Sequence, residues 1–279
     1  MIKKILITGA TSGIGLESVR KLASLKHHII MTGLDINQAE MICEDIKSNS
    51  GNTNIKVMHL DLSSVESIKL FVSKLLNEKD KIDVLINNAG CFNEKRIETI
   101  DGLEMTMGVN YFGTVLFTEL LIDKEILNDE SRIINLVSKA AFYGKINVND
   151  INFKKKYQGF KAYSASKLAL ILYSLKLNDR LKDSTIKVYN AHPGKVKTNI
   201  FNGDTFMMKV VSKVMEKSMI SSAEGAETSV FLATSDEIMN YSGNLFHKNQ
   251  VINYKKDCLD EALVKSIWKI TKDFISNNK

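Results

Sequence analysis

The chain has 279 residues, of which 44% are hydrophobic and 25% are charged, and its formal net charge is +6. These proportions are ordinary for a soluble globular protein. We interpret the lysines as scattered over a solvated surface, and we expect no nucleic-acid partner.

The three cysteines, Cys43, Cys91 and Cys258, have no CxxC or metal-ligand spacing. We therefore expect structural thiols in a reducing compartment and no metal site. A strand pattern begins within residues 2–7, which does not fit a signal peptide, and no apolar run looks long enough to span a bilayer. These features predict a cytoplasmic protein without membrane contact.

Short apolar runs alternate with amphipathic segments of helical length. The predicted strands are Lys4–Thr8, His28–Thr32, Ile55–Leu60, Ile82–Ile86, Arg132–Val137, Thr185–Ala191 and Ser242–Phe246. The predicted helices lie near 13–25, 37–48, 64–77, 103–127, 161–182, 222–234 and 259–275. Such alternation is typical of a parallel sheet covered by helices on both faces. We predict one α/β domain over residues 1–279, a Rossmann-type doubly wound parallel sheet of about seven strands.

Two segments interrupt this alternation. Residues 143–160 form a polar insertion rich in Asn and Lys, and residues 201–221 look helical and amphipathic. The second segment carries an apolar stripe composed of Phe206, Met207, Met208, Val210, Val214 and Met215. We predict that 201–221 is a mobile lid over the substrate, because methionine adapts to irregular ligands and a lid excludes water. The alternative is a surface helix packed against the domain or against a partner subunit.

A glycine-rich turn, TGATSGIG at residues 8–15, separates the first strand from the first helix. Glycine lets the backbone approach a pyrophosphate, whose charge the helix N-terminus then favours. A plain tight turn is the alternative, but this position favours a nucleotide site. The predicted cofactor-binding residues of the turn are Gly9, Thr11, Ser12, Gly13, Ile14 and Gly15.

The Gly-x-x-x-Gly-x-Gly spacing resembles the short-chain dehydrogenase/reductase family. The resemblance extends over nearly the whole chain through Asn87-Asn88-Ala89-Gly90, Tyr163-x-x-x-Lys167 and Pro193-Gly194. It implies an NAD(P)-dependent oxidoreductase that moves a hydride between nicotinamide and an alcohol or carbonyl carbon of a small molecule. The further cofactor contacts that it implies are Asp61, Leu62, Asn87, Ala89, Gly90, Tyr163, Lys167, Pro193, Gly194, Val196 and Thr198.

Tyr163 and Lys167 stand four residues apart and so share one face of a helix. A tyrosine pKa of ~10 is too high for an efficient base, and a neighbouring ammonium favours the phenolate. The resemblance implies that Tyr163 is the acid/base, that Ser138 binds the substrate oxygen, and that Asn110 holds a water in a proton relay to Lys167.

Each of the less distinctive positions also has a structural interpretation. Ser138 could be a turn cap, Asn110 a brace inside a helix, and Asp61 the acid that begins a helix. His192 has the residue type of an acid/base, but we interpret it as a structural histidine at a strand end.

The stretch GFKAYSASKLA at residues 159–169 and the long interval from Ser138 to Tyr163 resemble the retinol dehydrogenase branch, which includes WW-domain oxidoreductases. This resemblance implies an apolar alcohol or carbonyl substrate and commonly NADP. The branch usually has an arginine where Leu34 stands, and NAD-preferring members an acid where Gly33 stands. Both markers are missing, so we expect NADP or NAD, with the branch favouring NADP.

A catalytically silent, nucleotide-sensing protein on the same fold is the alternative function, and docking on a membrane surface through residues 206–219 is a further option that does not exclude catalysis. The sequence leaves homo-oligomerisation open.

Overall fold

In a computed structural model of the protein, residues 1–196, 219–256 and 260–279 are described. Thr198, Cys258 and residues 201–218 of the predicted lid lie outside these ranges. The lid prediction therefore concerns residues about which the structure gives no information.

An eight-stranded sheet organises the chain, with strand order β3-β2-β1-β4-β5-β6-β7-β8. The strands are β1 (Lys4–Ile7), β2 (His28–Gly33), β3 (Ile55–His59), β4 (Ile82–Asn87), β5 (Leu127–Leu136), β6 (Lys187–Ala191), β7 (Leu245–His247) and β8 (Gln250–Ile252). Strands β1 to β7 pair in parallel, and only β8 is antiparallel, to β7. The predicted doubly wound α/β fold is confirmed.

The helices cover both faces of this sheet. They are α1 (Gly13–Ser24), α2 (Ile36–Ser50), α3 (Val65–Asn77), α4 (Met105–Met107), a π-helix (Gly108–Gly113), α5 (Thr114–Asp123), α6 (Gly159–Arg180), α7 (Ser222–Thr234) and α8 (Glu261–Asn278). Two hydrophobic clusters result, and alternate β1 residues point into them: Leu6 into one, and Ile5 and Ile7 into the other. This alternation is what a strand buried on both faces requires.

Two boundaries differ most from the prediction. The helix expected over 103–127 ends at Asp123, and β5 then begins at Leu127 rather than at Arg132. Strand β8 was not predicted. It follows β7 through a two-residue turn in which Lys248 and Asn249 have φ values of 50° and 62°.

The continuous helical stretch Met105–Asp123 is apolar and long enough, by length and composition, to cross a membrane, with a mean hydropathy of 1.2. Our expectation that no apolar run is long enough was therefore wrong for this segment. Burial identifies its role, because 83% of the stretch lies inside the protein. It is a core helix packed between the sheet and α8.

Helix α8 lies across α5 and α6. The hydroxyl of Tyr111 is hydrogen-bonded to that of Thr271, and Trp268 stacks on Tyr173 with 6.2 Å between ring centroids. Arg180, at the end of α6, lies over the Trp268 ring at 5.4 Å. These contacts fix the helix that carries Tyr163.

Candidate active site

The crevice between β1 and β4 is where the strand order changes direction, since later strands are added on the β4 side. Ligands of such sheets bind outside the carboxyl ends of the strands at this point. The Asn88 side chain donates to the Thr8 and Gly9 carbonyls at 2.8 and 2.9 Å, and the Thr8 hydroxyl accepts from the Asn88 and Ala89 N–H groups at 3.0 Å. Sequence reasoning did not include Thr8 and Asn88 among the site residues, although each directly follows a strand, β1 and β4 respectively.

The glycine turn has a conformation and a packing that only glycine allows. Gly9 and Gly13 have φ values of 62° and 53°. A Cβ on Gly9 would lie 2.9 Å from the Ala89 Cα, so a side chain there would push the β1 and β4 ends apart. Ser12 stands at the N-cap of α1 but makes no side-chain capping bond, which leaves the helix N-terminus suited to an anion. The turn therefore fits a pyrophosphate.

Asp61 and Leu62 follow β3. The Asp61 carboxylate accepts from the N–H and the hydroxyl of Ser63 at 2.8 and 2.7 Å, and Ser64 then caps α3. This turn-forming role matches the structural interpretation of Asp61, and a contact with adenine stays a prediction. Leu62 is 5% exposed and packs in the hydrophobic core, so a cofactor contact there stays a prediction.

The side chain of Asn87 lies inside the sheet rather than in the crevice. It donates to the Thr118 hydroxyl at 2.9 Å and to the Asn135 carboxamide at 2.8 Å. Any cofactor contact at this position therefore uses the main chain. Gly90 lies beside two of the predicted catalytic residues, because a Cβ there would be 3.1 Å from Asn110 Oδ1 and 3.4 Å from Lys167 Nζ.

Tyr163 lies in the first turns of α6 and is only 6% exposed. Burial raises the pKa of Tyr163 to about 12, and a hydrogen bond from its side chain to that of Ser138 acts in the opposite direction. Ser138 also caps the short 3₁₀-helix Lys139–Tyr143 by accepting from the Ala140 N–H at 3.1 Å. Ser138 is therefore both a cap and the partner of the tyrosine.

Lys167 is buried one helical turn beyond Tyr163, and its ammonium donates to the Leu136 carbonyl at 2.9 Å. Burial lowers the pKa of Lys167 to about 8. The sequence suggested that this lysine would govern the tyrosine by lowering its pKa. In the structure, burial has the largest effect on the pKa of Tyr163 and the Ser138 hydrogen bond opposes it, so an effect of Lys167 on that pKa stays a prediction.

Asn110 lies in the π-helix and is fully buried. Its carboxamide oxygen accepts from the Cys91 N–H at 2.7 Å, and its nitrogen donates to the Cys91 carbonyl at 2.9 Å and to the Ser166 hydroxyl at 3.0 Å. These bonds show the bracing role, whereas the water relay stays a prediction. Irregular π turns are frequent at functional sites.

The turn after β6 packs against the nucleotide end of the site. Gly194 has φ 100°, and the Ile220 N–H donates to the Lys195 carbonyl at 2.9 Å. A Cβ on Gly225 of α7 would lie 2.7 Å from Val196 and 3.3 Å from Ile14. Val196 and Ile14 are both predicted cofactor residues, and both therefore pack against Gly225 of α7.

His192 lies behind this turn and is 4% exposed. Its ring stacks on His247 with 4.8 Å between centroids, and Nδ1 of His247 lies 3.0 Å from the His192 carbonyl. Burial, together with the neighbouring His247, lowers the pKa of His192 to about 3. A neutral, buried ring fits the interpretation as a structural histidine.

The loop after β4 and the insertion at 143–160 form one wall of the site. The Phe92 ring meets the Tyr163 ring edge-on at 6.0 Å. The Tyr157 hydroxyl donates to the Asn93 carbonyl at 2.6 Å and to the buried Glu104 carboxylate at 3.2 Å. Sequence reasoning missed this wall, since its contacts join segments more than 50 residues apart. Within the described ranges, no group of three or more His, Cys, Asp or Glu residues could hold a metal ion.

The sequence matches the short chain dehydrogenase family over residues 3–207. The chain belongs to this family. It is 34% identical to human retinol dehydrogenase 13 over 95% of this chain and 82% of that protein. It is 33% identical to human retinol dehydrogenase 11 over 98% of this chain and 86% of that protein. The predicted resemblance to the retinol dehydrogenase branch is confirmed, and the protein is an oxidoreductase acting on CH–OH or C=O groups.

Solved structures agree with this assignment. A protein from Mycobacterium paratuberculosis is 26% identical, with a TM-score of 0.79 over 98% of this chain and 93% of that one. A blue fluorescent protein from a metagenomic library, solved with NADPH, is 24% identical, with a TM-score of 0.68 over 88% of this chain and 95% of that one. The latter supports the fold alone.

Proposed function

We propose that this protein transfers a hydride between NADP or NAD and an alcohol or carbonyl carbon of an apolar substrate, with Tyr163 exchanging the proton. The observation that carries the proposal is the hydrogen bond between Ser138 and Tyr163, with buried Lys167 one helical turn away. A hydroxyl pair of this kind can hold a substrate oxygen and pass it a proton.

The protonation states favour carbonyl reduction. Because burial raises the pKa of Tyr163 to about 12, its phenol is protonated near neutral pH and is ready to donate. Ser138 donates a second hydrogen bond to the same carbonyl oxygen and stabilises its developing charge. In the reverse direction, Tyr163 has to be ionised, and the Ser138 hydrogen bond and the positive charge of Lys167 both favour that state.

The glycine turn, the N-terminus of α1 and the Pro193-Gly194 turn would hold the dinucleotide, which when bound supplies or accepts the hydride. We favour NADP from the residues that follow β2. A Cβ on Gly33 would lie 2.7 Å from the Thr11 methyl group, so the acid typical of NAD-preferring members does not fit without a shift. The Asp35 carboxylate accepts from the Gln38 N–H at 3.0 Å and caps α2. Gly33 provides no carboxylate, and that of Asp35 is used through one of its oxygens to cap α2.

The substrate class rests on the relatives and on the site wall. Retinol is a long apolar alcohol, and the relatives named above are retinol dehydrogenases by name. The Phe92 ring beside Tyr163 supplies an apolar surface next to the reacting oxygen. We therefore propose apolar aldehydes and alcohols, retinal among them, as substrates.

The test is a panel of retinal, medium-chain aldehydes, ketones and a polar sugar aldehyde, assayed with NADPH and NADH by nicotinamide absorbance. We expect turnover of the apolar aldehydes and loss of it in Tyr163→Phe, which should still bind NADPH. Tight NADPH binding without turnover of any compound, in both wild type and variant, would instead support the nucleotide-sensing alternative.

A further inference from the structure

The insertion between the catalytic serine and tyrosine concentrates the charge of the protein. Residues 139–161 contain six lysines and one acid, Asp150, which gives this segment a net charge of +5 against +6 for the whole chain. The interpretation of the lysines as scattered over the whole surface therefore does not hold for this segment. These lysines lie in the segment that joins Ser138 to Tyr163, the two residues proposed to hold the substrate oxygen.

The lysine side chains of this segment are exposed and unneutralised. Among the residues that the structure describes, no ion pair involves Lys145, Lys154, Lys155, Lys156 or Lys161. The one acid is already engaged, because the Asp150 carboxylate accepts from the main-chain N–H groups of Lys154 and Lys155 at 2.8 and 3.3 Å. The turn thus holds the lysines in place without compensating their charge.

Two large aromatic side chains stand among these lysines. Tyr143 is 74% exposed and Phe160 is 53% exposed. A Cβ on Gly144 would lie 3.0 Å from Cβ of Leu168, so Tyr143 is held beside one face of α6. Phe160 lies in the first turn of α6, the helix on which the Tyr143-Gly144 segment packs. The ammonium of Lys255 lies 5.8 Å from the centre of the Tyr143 ring and adds a further cation.

This surface is preformed rather than a loose loop. Tyr157 anchors it to the loop after β4 through the Asn93 carbonyl at 2.6 Å. Gly159 packs so closely on Asn93 and Glu94 that a Cβ there would lie 3.1 Å from the Glu94 Cα. These contacts fix the main chain at the end of the segment, next to the start of α6.

We propose that the surface formed by residues 139–161 docks on the headgroups of an anionic lipid bilayer. Lysines near such a surface are attracted to it, and exposed aromatic rings enter its apolar boundary. The segment has six lysines and no arginine. Arginine is the usual choice where a protein or nucleic acid is recognised by defined geometry, whereas lysine ammonium groups act as point charges. Docking in this way would bring the site mouth to the place where apolar substrates partition.

The test is co-sedimentation of the purified full chain with vesicles, one set of phosphatidylcholine alone and one set with roughly a third phosphatidylserine. We expect binding to the anionic vesicles at about 0.1 M salt and release at about 0.5 M, because salt screens exposed charges. Lys154→Glu/Lys155→Glu/Lys156→Glu should weaken binding at least about tenfold. Tyr143→Ser/Phe160→Ser should also weaken it, while leaving the salt dependence in place.

Matched controls separate the surface from overall charge. Lys182→Glu/Lys265→Glu/Lys272→Glu removes three exposed lysines elsewhere and changes the net charge by the same amount, so it should bind nearly like wild type. Met41→Ser, at a residue 76% exposed, is the control for lost apolar surface. Equal losses in both lysine triples, or no binding of wild type to anionic vesicles while it binds heparin or an acidic protein, would overturn the proposal. The readout is independent of turnover, so its failure would not affect the proposed reaction.

Discussion

The side chain of Asn110 bonds to both main-chain polar groups of Cys91, at 2.7 Å from the N–H and 2.9 Å from the carbonyl. A carboxamide that pairs in this way acts like a neighbouring strand and fixes the chain as it leaves β4. Since Gly90 precedes Cys91 and lies against Lys167, the same clamp positions the catalytic lysine. The Asn110 hydrogen bonds that support the loop after β4 thus also support the position of Lys167.

Asn110→Leu should therefore destabilise the fold as well as the site. It leaves the partly buried main-chain polar groups of Cys91 without their partners, and each group that loses its partner away from water costs about 1–3 kcal/mol. We expect a loss of about 2–4 kcal/mol in urea unfolding. Asn49→Leu, at an exposed helical asparagine, is the control and should change stability by less than about 0.5 kcal/mol. Equal effects of the two substitutions would contradict the clamp.

Ser138→Ala should shift the pH profile of alcohol oxidation to higher pH. The Ser138 hydrogen bond lowers the pKa of Tyr163 against the effect of burial, so its removal raises that pKa further. Oxidation needs the ionised tyrosine, and its rising limb follows the tyrosine pKa. The measurement is kcat/KM against pH for wild type and variant. Carbonyl reduction near neutral pH, which uses the protonated phenol, should show no such shift, and an unmoved oxidation limb would argue against the Ser138–Tyr163 bond.

Residue type and order predicted the fold, and brought forward the candidate residues Ser138, Tyr163 and Lys167, because both inferences depend on local signals. Apolar runs mark the strands, and the glycine turn and the Tyr-x-x-x-Lys spacing are short motifs. The hairpin to β8 was not predicted, because its turn is Lys248-Asn249 and lacks the glycine that usually marks such a turn. Both turn residues nevertheless adopt the left-handed backbone conformation that this kind of hairpin requires. The role of Asn87 also escaped, since its partners Thr118 and Asn135 come from other elements. The protonation balance at Tyr163 depends on burial, which no motif encodes.

Lys167→Met should stabilise the protein at neutral pH even though it removes a functional residue. Burial lowers the pKa of Lys167 from 10.5 to about 8, so at pH 7 the folded state bears the cost of a buried charge, roughly 3 kcal/mol. The variant avoids this cost, but it also loses the hydrogen bond to the Leu136 carbonyl, which offsets about 1 kcal/mol of the increase in stability. Between pH 8 and 10.5 the folded protein has released the proton and the unfolded chain has not, so wild-type stability rises relative to the variant.

The measurement is the free energy of unfolding of wild type and Lys167→Met at pH 7, 8.5 and 10. The difference should shrink as the pH rises. Lys182→Met, at an exposed lysine for comparison, should give a difference that stays constant across the same range. A Met variant that is less stable than wild type at pH 7 by more than about 1 kcal/mol would mean that Lys167 is not buried as a costly cation.

His192→Leu should reduce the decrease in the free energy of unfolding that occurs as the pH falls from 6.5 to about 3. Burial lowers the pKa of His192 from 6.5 to about 3, so between these values the unfolded chain binds a proton that the folded protein does not. Wild-type stability should therefore fall by up to about 1.4 kcal/mol per pH unit from this residue as the pH decreases through that window. His59→Leu, at an exposed histidine, should keep the wild-type slope. Parallel slopes for wild type and His192→Leu would rule out this assignment.

Cofactor choice can be altered at the residues that follow β2. Leu34 is 66% exposed, and an arginine there could pair with a 2′-phosphate, so Leu34→Arg should raise NADPH affinity relative to NADH.

Gly33→Asp should act in the opposite direction only when the Thr11 methyl group is removed as well, because a Cβ at 33 would lie 2.7 Å from it. We therefore expect Gly33→Asp alone to weaken both cofactors, and Gly33→Asp/Thr11→Ser to favour NADH. Dissociation constants measured by nicotinamide fluorescence decide the matter, with Leu34→Ala as the control for lost side-chain surface. If Leu34→Arg and Leu34→Ala give the same NADPH-to-NADH ratio, position 34 does not face the ribose, and the interpretation of the β2 end is wrong.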